Sequence, residues 1–245
     1  MAEAIAVIPA RYASVRFPGK VLADRTGKPL IQHVYEQVSA ARRVDRVVVA
    51  ADDDRIVDAV KGFGGEAVLT RRDHANGTSR IAEVAPALAA PVIVNVQADE
   101  PEIEPGLIDL AVQTLQEHPA CVVSTLGSPF SAEEDPADPN IVKVVVGAAG
   151  TALYFSRALI PHDRDGTART RPLKHVGMYV YRAEFLETFV GLAPTPLEQA
   201  ERLEQLRILE HGYDIAVAVA EARFHGIDTP QQYDEFVERF TLRAS

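Results

Sequence analysis

The strongest constraint on the fold is an alternation. Short runs rich in β-branched residues take turns with stretches whose apolar residues recur at helical spacing, the pattern of parallel strands joined by crossover helices. Strands are expected at Ala4–Ile8, Arg46–Ala51, Glu66–Leu69 and Pro91–Val96. Between them, Pro29–Arg42 places Leu30, Val34, Val38 and Ala41 close to helical period, and Arg55–Phe63 does so more briefly. A loop at Asp73–Thr78 leads into a helix through Leu88, with Thr78 expected as its cap. This half reads as a doubly wound α/β layer. The second half changes texture, with strands at Cys121–Leu126, Val142–Val146, Thr151–Ser156 and Val176–Arg182 and few long helices between them. Helices Leu197–His211 and Pro230–Leu242 follow, separated by the strand Ile215–Ala220. No low-complexity linker or internal repeat interrupts the chain, so one domain over residues 1–245 is expected.

The first strand runs into Ile8–Lys20, a loop that carries Arg11, Arg16 and Lys20 with no carboxylate between Glu3 and Asp24. A loop leaving a strand with Gly, Pro and Ser can aim backbone N–H groups and fixed cations at phosphate oxygens. It is neither a Walker A loop nor a dinucleotide fingerprint, because Gly19 stands alone before Lys20 and no G-x-G occurs. Overall the chain is acidic, with 35 Asp and Glu against 25 Lys and Arg, a formal charge of −10. That balance argues against a general nucleic-acid surface, so the basic loop is expected to serve a small anion. Cys121 is the one cysteine, which leaves no intramolecular disulfide and no cysteine metal cluster; it is expected to be buried. No apolar run reaches the roughly 18 residues that span a bilayer, and the N-terminus does not resemble a signal peptide, so a soluble, cytoplasmic protein without membrane insertion is expected.

Two aspartates stand out. Val92–Val96 is nearly continuous in apolar character, as a strand buried on both faces should be, and it ends in Gln97-Ala98-Asp99-Glu100-Pro101. Asp99 is therefore expected at the carboxyl edge of the sheet, on the side of the cationic loop. There it either holds Mg²⁺, which takes one or two carboxylates plus phosphate oxygens, or caps the helix that begins near Pro105. Asp228, in His225-Gly226-Ile227-Asp228-Thr229-Pro230, is either a second metal carboxylate or a turn residue before the last helix. On Leu197–His211, Leu203, Leu206 and Leu209 mark the packed side, and Glu201, Glu204 and Gln205 another face that is either solvated or binds sugar hydroxyls. Arg157, Arg164 and His175 are cations near the later strands that could receive a substrate carboxylate or serve in surface ion pairs.

Taken together, Pro9–Lys20, Asn95–Pro101, Ala152-Leu-Tyr-Phe-Ser-Arg157, His175-Val-Gly-Met-Tyr179, Leu203-Glu-Gln-Leu-Arg207 and Gly226-Ile-Asp-Thr-Pro230 closely resemble the 3-deoxy-manno-octulosonate (Kdo) cytidylyltransferases, in order and over almost the whole chain. The resemblance implies a three-layer α/β nucleotidyltransferase fold of glycosyltransferase-A type, with a mixed, mostly parallel central sheet. It also implies a homodimer that moves CMP from CTP to Kdo, an acidic sugar of lipopolysaccharide, and releases diphosphate. A CTP-binding half would cover about residues 1–120, and a sugar-binding and dimerisation half about 121–245. By likeness, Pro9, Ala10, Arg11, Ser14, Lys20 and Gln97 would meet the nucleotide, and Asp99 and Asp228 would ligate Mg²⁺. Arg80 would lie near the reacting groups, and Arg157, Arg164, His175, Tyr179, Glu204 and Gln205 would form the sugar pocket. Ala98 stands where the family usually has glycine, and His162 where tryptophan is common. These departures leave 8-amino-Kdo or sialic acid open as acceptors. A glycosyltransferase would normally show an Asp-x-Asp pair where Gln97-Ala98-Asp99 supplies one acid, and a catalytically silent nucleotide-binding protein would not need Lys20, Asp99 and Asp228 together.

Overall fold

The computed structural model describes residues 4–14, 16–166, 171–224 and 226–244; Val15 and His225, in segments singled out above, lie outside them. The chain forms two compact units, residues 1–109 with 223–245, and residues 110–222. The C-terminal segment therefore belongs with the N-terminal part, whereas the division drawn from the sequence near residue 120 left it in the second half.

In the first unit, strands β1 (Ala4–Ala10), β2 (Arg46–Ala51), β3 (Glu66–Leu69) and β4 (Val92–Asn95) pair in parallel in the order β3-β2-β1-β4. β1 is buried along its whole length, as is β4, which accounts for their continuous apolar character. Helices α1 (Leu30–Ser39), α2 (Asp54–Gly62) and α3 (Gly77–Leu88) make the crossovers. The chain winds outward from β1 through β2 to β3, then α3 returns it to the other side of β1 as β4. β1 and β4 are thus neighbours at the point where winding reverses, and the loops leaving their carboxyl ends open beside each other, the place where α/β sheets bind ligands. One boundary differs in cause from the expectation. The cap of α3 is Asn76, whose side chain accepts the N–H of Ser79 at 2.8 Å, while Thr78 lies inside the helix and is buried.

The last helix of the unit, α8 (Pro230–Ala244), begins with a reciprocal cap. Gln232 N–H donates to Thr229 Oγ1 at 3.2 Å, and Gln232 Oε1 accepts the N–H groups of Thr229 and Asp228 at 3.0 and 2.8 Å, with Pro230 at the first helical position. Tyr233 and Phe236 of α8 form a buried cluster with Leu30 and Ile227, and Phe236 and Phe240 meet the His33 ring edge-on. This packing anchors the segment 226–230 against α1.

In the second unit, β5 (Val123–Pro129) pairs antiparallel with β8 (Leu173–Arg182) and parallel with β9 (Ile215–Val219). β6 (Lys143–Val146) pairs antiparallel with β7 (Ala152–Ser156) and with β8. Helix α4 (Pro105–Glu117) leads the chain into this unit, and α5 (Ala183–Gly191) packs Phe185, Leu186 and Phe189 inward after β8. The sequence reading passed over α5. The expected single helix Leu197–His211 is two, α6 (Pro196–Glu201) and α7 (Gln205–Glu210), broken at Arg202, which takes a left-handed conformation with φ 56°. Glu201 and Glu204 are therefore not on one continuous helical face. Cys121 is buried, and its thiol pKa is raised by burial first.

Candidate functional site

The loop after β1 folds back on itself. Gly19 N–H donates to Tyr12 O at 3.1 Å, and Gly19 sits at φ 69°, a left-handed conformation that costs glycine least. The reversal returns the chain as a short 3-10 turn at Lys20–Leu22. At the loop's other end, Tyr12 N–H donates to Asp52 Oδ1 at 2.8 Å, and the Arg55 guanidinium lies 3.4 Å from the Tyr12 ring centroid. Both ends are thus fixed, while Arg11, just before Tyr12, and Arg16, between the two ends, are exposed.

Lys20 points back toward the strand ends. Its ammonium donates to Asp99 Oδ2 at 2.6 Å, to Asp228 Oδ1 at 3.1 Å and to Ile227 O at 2.8 Å, which uses all three of its N–H groups. Arg16 Nη2 reaches Asp228 Oδ2 at 2.9 Å. Two aspartates 129 positions apart in the chain are held together because Ile227, 1 % exposed in the α1–α8 cluster, donates its N–H to Asp99 O at 2.8 Å. Each carboxylate faces the lysine while its neighbours shape the turns. Thr229, not Asp228, caps α8, and the Asp99 carboxylate turns to Lys20.

Other residues expected here have distinct positions. Pro9 and Ala10 end β1 and are buried, and Gly77, the first residue of α3, approaches so closely that a Cβ there would stand 3.1 Å from Pro9 Cγ and 3.9 Å from Gln97 Oε1. Gln97 donates to Asn95 Oδ1 at 3.0 Å, which orients its amide. Ser14 is half-buried within the loop. Arg80 is fully buried: Nη1 donates to Thr70 Oγ1 and to Arg71 O at 3.0 Å, and Nη2 lies 3.7 Å from Asp52 Oδ2. Burial pushes its pKa down, the Asp52 charge opposes that, and Nε and Nη2 have no hydrogen-bond partner among the described residues. Asp52 thus stands between Arg80 and the Tyr12 amide. Glu100, which the sequence reading gave no role, is buried beside Asp99, with Oε2 unpartnered among the described residues. Burial, then the Asp99 charge, raises its pKa to about 8, so it carries a proton at neutral pH.

The remaining candidates lie in the second unit. His175 on β8 hydrogen-bonds Thr125 Oγ1 at 2.9 Å, with ring centroids of Phe155 and Tyr179 at 5.0 and 5.4 Å. Burial lowers its pKa to about 3, so the reading of His175 as a cation is corrected: it is a neutral imidazole. Arg157 follows β7; its Nε donates to Glu201 O at 2.8 Å and Nη1 to Pro139 O at 3.0 Å. Arg164 is exposed in the following loop, near exposed His162. Gln205 is buried, whereas Glu204 lines an open cavity of about 630 Å³ with Pro194, Glu198, Arg202 and Arg207. The break at Arg202, which spacing alone did not reveal, turns Glu204 onto that wall.

Among the described residues no group of three or more His, Cys, Asp or Glu side chains could hold a metal. Asp99 and Asp228 are two hard oxygen donors already sharing one cation, and that donor set fits Mg²⁺, whose remaining positions are filled by water and phosphate oxygens.

A family model described as cytidylyltransferase matches residues 5–215. A 3-deoxy-manno-octulosonate cytidylyltransferase of Geobacter sulfurreducens is 51% identical over 244 residues, covering 96% of this chain and 98% of the relative. Another, of Syntrophotalea carbinolica, is 53% identical over 234 residues, covering 92% and 94%. Among solved structures, CMP:2-keto-3-deoxy-manno-octonic acid synthetase complexed with CTP matches with a TM-score of 0.94 at 44% identity, covering 98% of this chain and 99% of that one. A cytidylyltransferase from Leptospira borgpetersenii, 15% identical with a TM-score of 0.64, shares the fold.

Proposed function

The chain belongs to the 3-deoxy-manno-octulosonate cytidylyltransferase family, and from that premise we propose that it moves the cytidylyl group of CTP to Kdo, giving CMP-Kdo and diphosphate for lipopolysaccharide synthesis. The observation that carries the reading is the convergence of Asp99 and Asp228 on one Lys20 ammonium, at the end of a basic loop beside the switch point of a parallel sheet.

In the transfer step the anomeric hydroxyl oxygen of the sugar bonds to the α-phosphorus and gives up its proton to water, while the bond from that phosphorus to the bridging oxygen breaks and diphosphate leaves with that bond's electron pair. Such a reaction needs positioning and electrostatic stabilisation rather than a protein nucleophile. Arg11, Ser14 and Lys20 would hold the triphosphate, with Pro9, Ala10 and Gln97 against the rest of the nucleotide. Asp99 and Asp228 would hold Mg²⁺, which when bound supplies Lewis-acid polarisation of phosphate oxygens. Arg80, buried and 3.7 Å from Asp52, would act by fixing the carboxylate that grips the Tyr12 amide, and so by positioning the loop.

On the acceptor side Arg157, Arg164, Tyr179, Glu204 and Gln205 would meet the sugar acid, with His175 as a neutral hydrogen-bonding group. No described helix is long and apolar enough to cross a membrane. A homodimer working in the cytoplasm, where CTP is made, completes the proposal.

Diphosphate release on mixing the protein with CTP, Mg²⁺ and Kdo tests it, with 8-amino-Kdo, sialic acid and a neutral sugar as parallel acceptors. Turnover of Kdo above the others is expected; turnover of one of the others in its place would overturn the acceptor assignment. Asp99→Asn, which keeps shape, should lower turnover by about 10²–10⁴ with folding intact. Full activity of that variant at saturating Mg²⁺ would defeat the metal role.

A further inference from the structure

Lys143 is wholly buried on β6, and its ammonium is used up by backbone carbonyls: Asp138 O at 2.9 Å, Ile141 O at 2.7 Å and Arg157 O. It stands in register with Ser156 on β7 and with Lys174 on β8, which places two buried lysines opposite each other. Like charges so placed repel. Lys174 is neutralised by Glu134 at 2.5 Å, in a pair of which each side chain is 9% exposed. Lys143 instead holds its charge through carbonyl dipoles, and burial pushes its pKa down. An apolar residue would leave these three carbonyls without their donor, so the ammonium supplies what packing alone does not.

What it does is join three segments. The carbonyls of Asp138 and Ile141 belong to the turn before β6, and that of Arg157 to the chain leaving β7. Arg157 continues the connection, since its Nη1 donates to Pro139 O at 3.0 Å, its Nε to Glu201 O at 2.8 Å, and its N–H to Glu201 Oε2 at 2.9 Å. Glu201 Oε1 accepts the Ser156 hydroxyl at 2.6 Å. Glu201 is the last residue of α6, directly before the left-handed Arg202 that turns Glu204 onto the cavity wall. We propose that Lys143 is a positioning residue for the sugar acid, fixing Arg157 and, through Glu201, the Arg202 break that presents Glu204. The inference rests on the acceptor-side reading given above, and it assigns Lys143 no contact with substrate.

The test is steady-state diphosphate release by the full chain, with Kdo varied at saturating CTP and CTP varied at saturating Kdo. Lys143→Met should raise the KM for Kdo at least tenfold while the KM for CTP stays within twofold. Glu201→Ala, which cuts the same connection further along, should give the same split, and the double variant should be no worse than the more affected single variant. If Lys143→Met does not fold, Glu201→Ala decides. An unchanged KM for Kdo in either folded variant, or a parallel rise in both KM values, would overturn the proposal, since a merely structural role has no reason to select one substrate. The wild type reports separately on the underlying reading: if it turns over another acidic sugar instead of Kdo, the split is measured with that sugar, and the positioning role stands or falls on its own.

Discussion

Replacing Lys20 by methionine removes a charge from between Asp99 and Asp228 at nearly constant volume, and the structure sets the size of the effect. The Lys20 side chain is 12% exposed, and its bond to the 28%-exposed Asp99 is a charge-assisted contact of about 1.5–3 kcal/mol. The bond to Asp228, which is 45% exposed, is screened by water and contributes about 0.2–1 kcal/mol. Together with the lost partner of Ile227 O, Lys20→Met should cost about 2–4 kcal/mol, which for a chain of this length lowers the melting temperature by roughly 4–16 °C. The variant also leaves two carboxylates facing each other with Arg16, on Asp228 Oδ2, as their remaining cationic neighbour. If those carboxylates are the Mg²⁺ ligands, the ion should stabilise Lys20→Met more than the wild type, because in the wild type the ammonium competes for the same oxygens. Mg²⁺ at about ten times its Kd would restore about 1.4 kcal/mol. Thermal melts of both proteins with Mg²⁺, and with K⁺ at matched ionic strength, check this without any substrate. Equal Mg²⁺ shifts in the two proteins, or no loss of stability in the variant, would refute the argument that one pair of carboxylates serves both cations.

Glu198 and Arg207 form a two-bond ion pair, Nε to Oε2 at 2.7 Å and Nη2 to Oε1 at 2.5 Å, with the side chains 10% and 13% exposed, so Glu198→Gln should cost about 3 kcal/mol in a denaturant titration at pH 7. Burial alone would raise the pKa of Glu198, but the Arg207 bonds outweigh it and hold the folded value below 4.5; the stabilisation is therefore complete above that pH and is lost as pH falls through the folded value. The gap between wild type and variant should accordingly narrow in melts below pH 4.5, and a gap that stays constant would contradict the assignment. Gly77→Ala sets a gain in helix propensity of up to about 1 kcal/mol against a Cβ 3.1 Å from Pro9 Cγ in a rigid strand. Its melting temperature should change little, while the KM for CTP rises several-fold with the KM for Kdo unaltered; equal CTP kinetics would show that the contact with Pro9 and Gln97 does not reach the nucleotide.

The strands of the first unit were legible because each is a short apolar run bounded by turn residues, and β4 in particular announced its burial on both faces. Asp99 and Asp228 were legible as candidates for a related reason: each stands where an element ends, Asp99 two residues before Pro101 and Asp228 just ahead of the Thr229–Gln232 cap. Local rules told where the chain stops and turns. They did not tell which side chains a distant segment would claim. Leu203, Leu206 and Leu209 keep helical spacing straight through residues 197–211, and the break at Arg202 follows from the capture of Glu201 by Ser156 and Arg157, more than forty positions away. Arg80 is expected near the reacting groups by the family resemblance alone, and its guanidinium is drawn inward by Thr70 and Asp52, which no local pattern signals. His175 reads as a cation until the rings of Phe155 and Tyr179 remove its water. Lys143 is the extreme case, since Val-Lys-Val-Val in a strand predicts a lysine facing solvent. Only the carbonyls brought to it by the turn at 138–141 and the end of β7 make its burial tolerable. Lys143 is thus the hardest of these to read, because its charge is matched by backbone and a carbonyl carries no signature in the sequence.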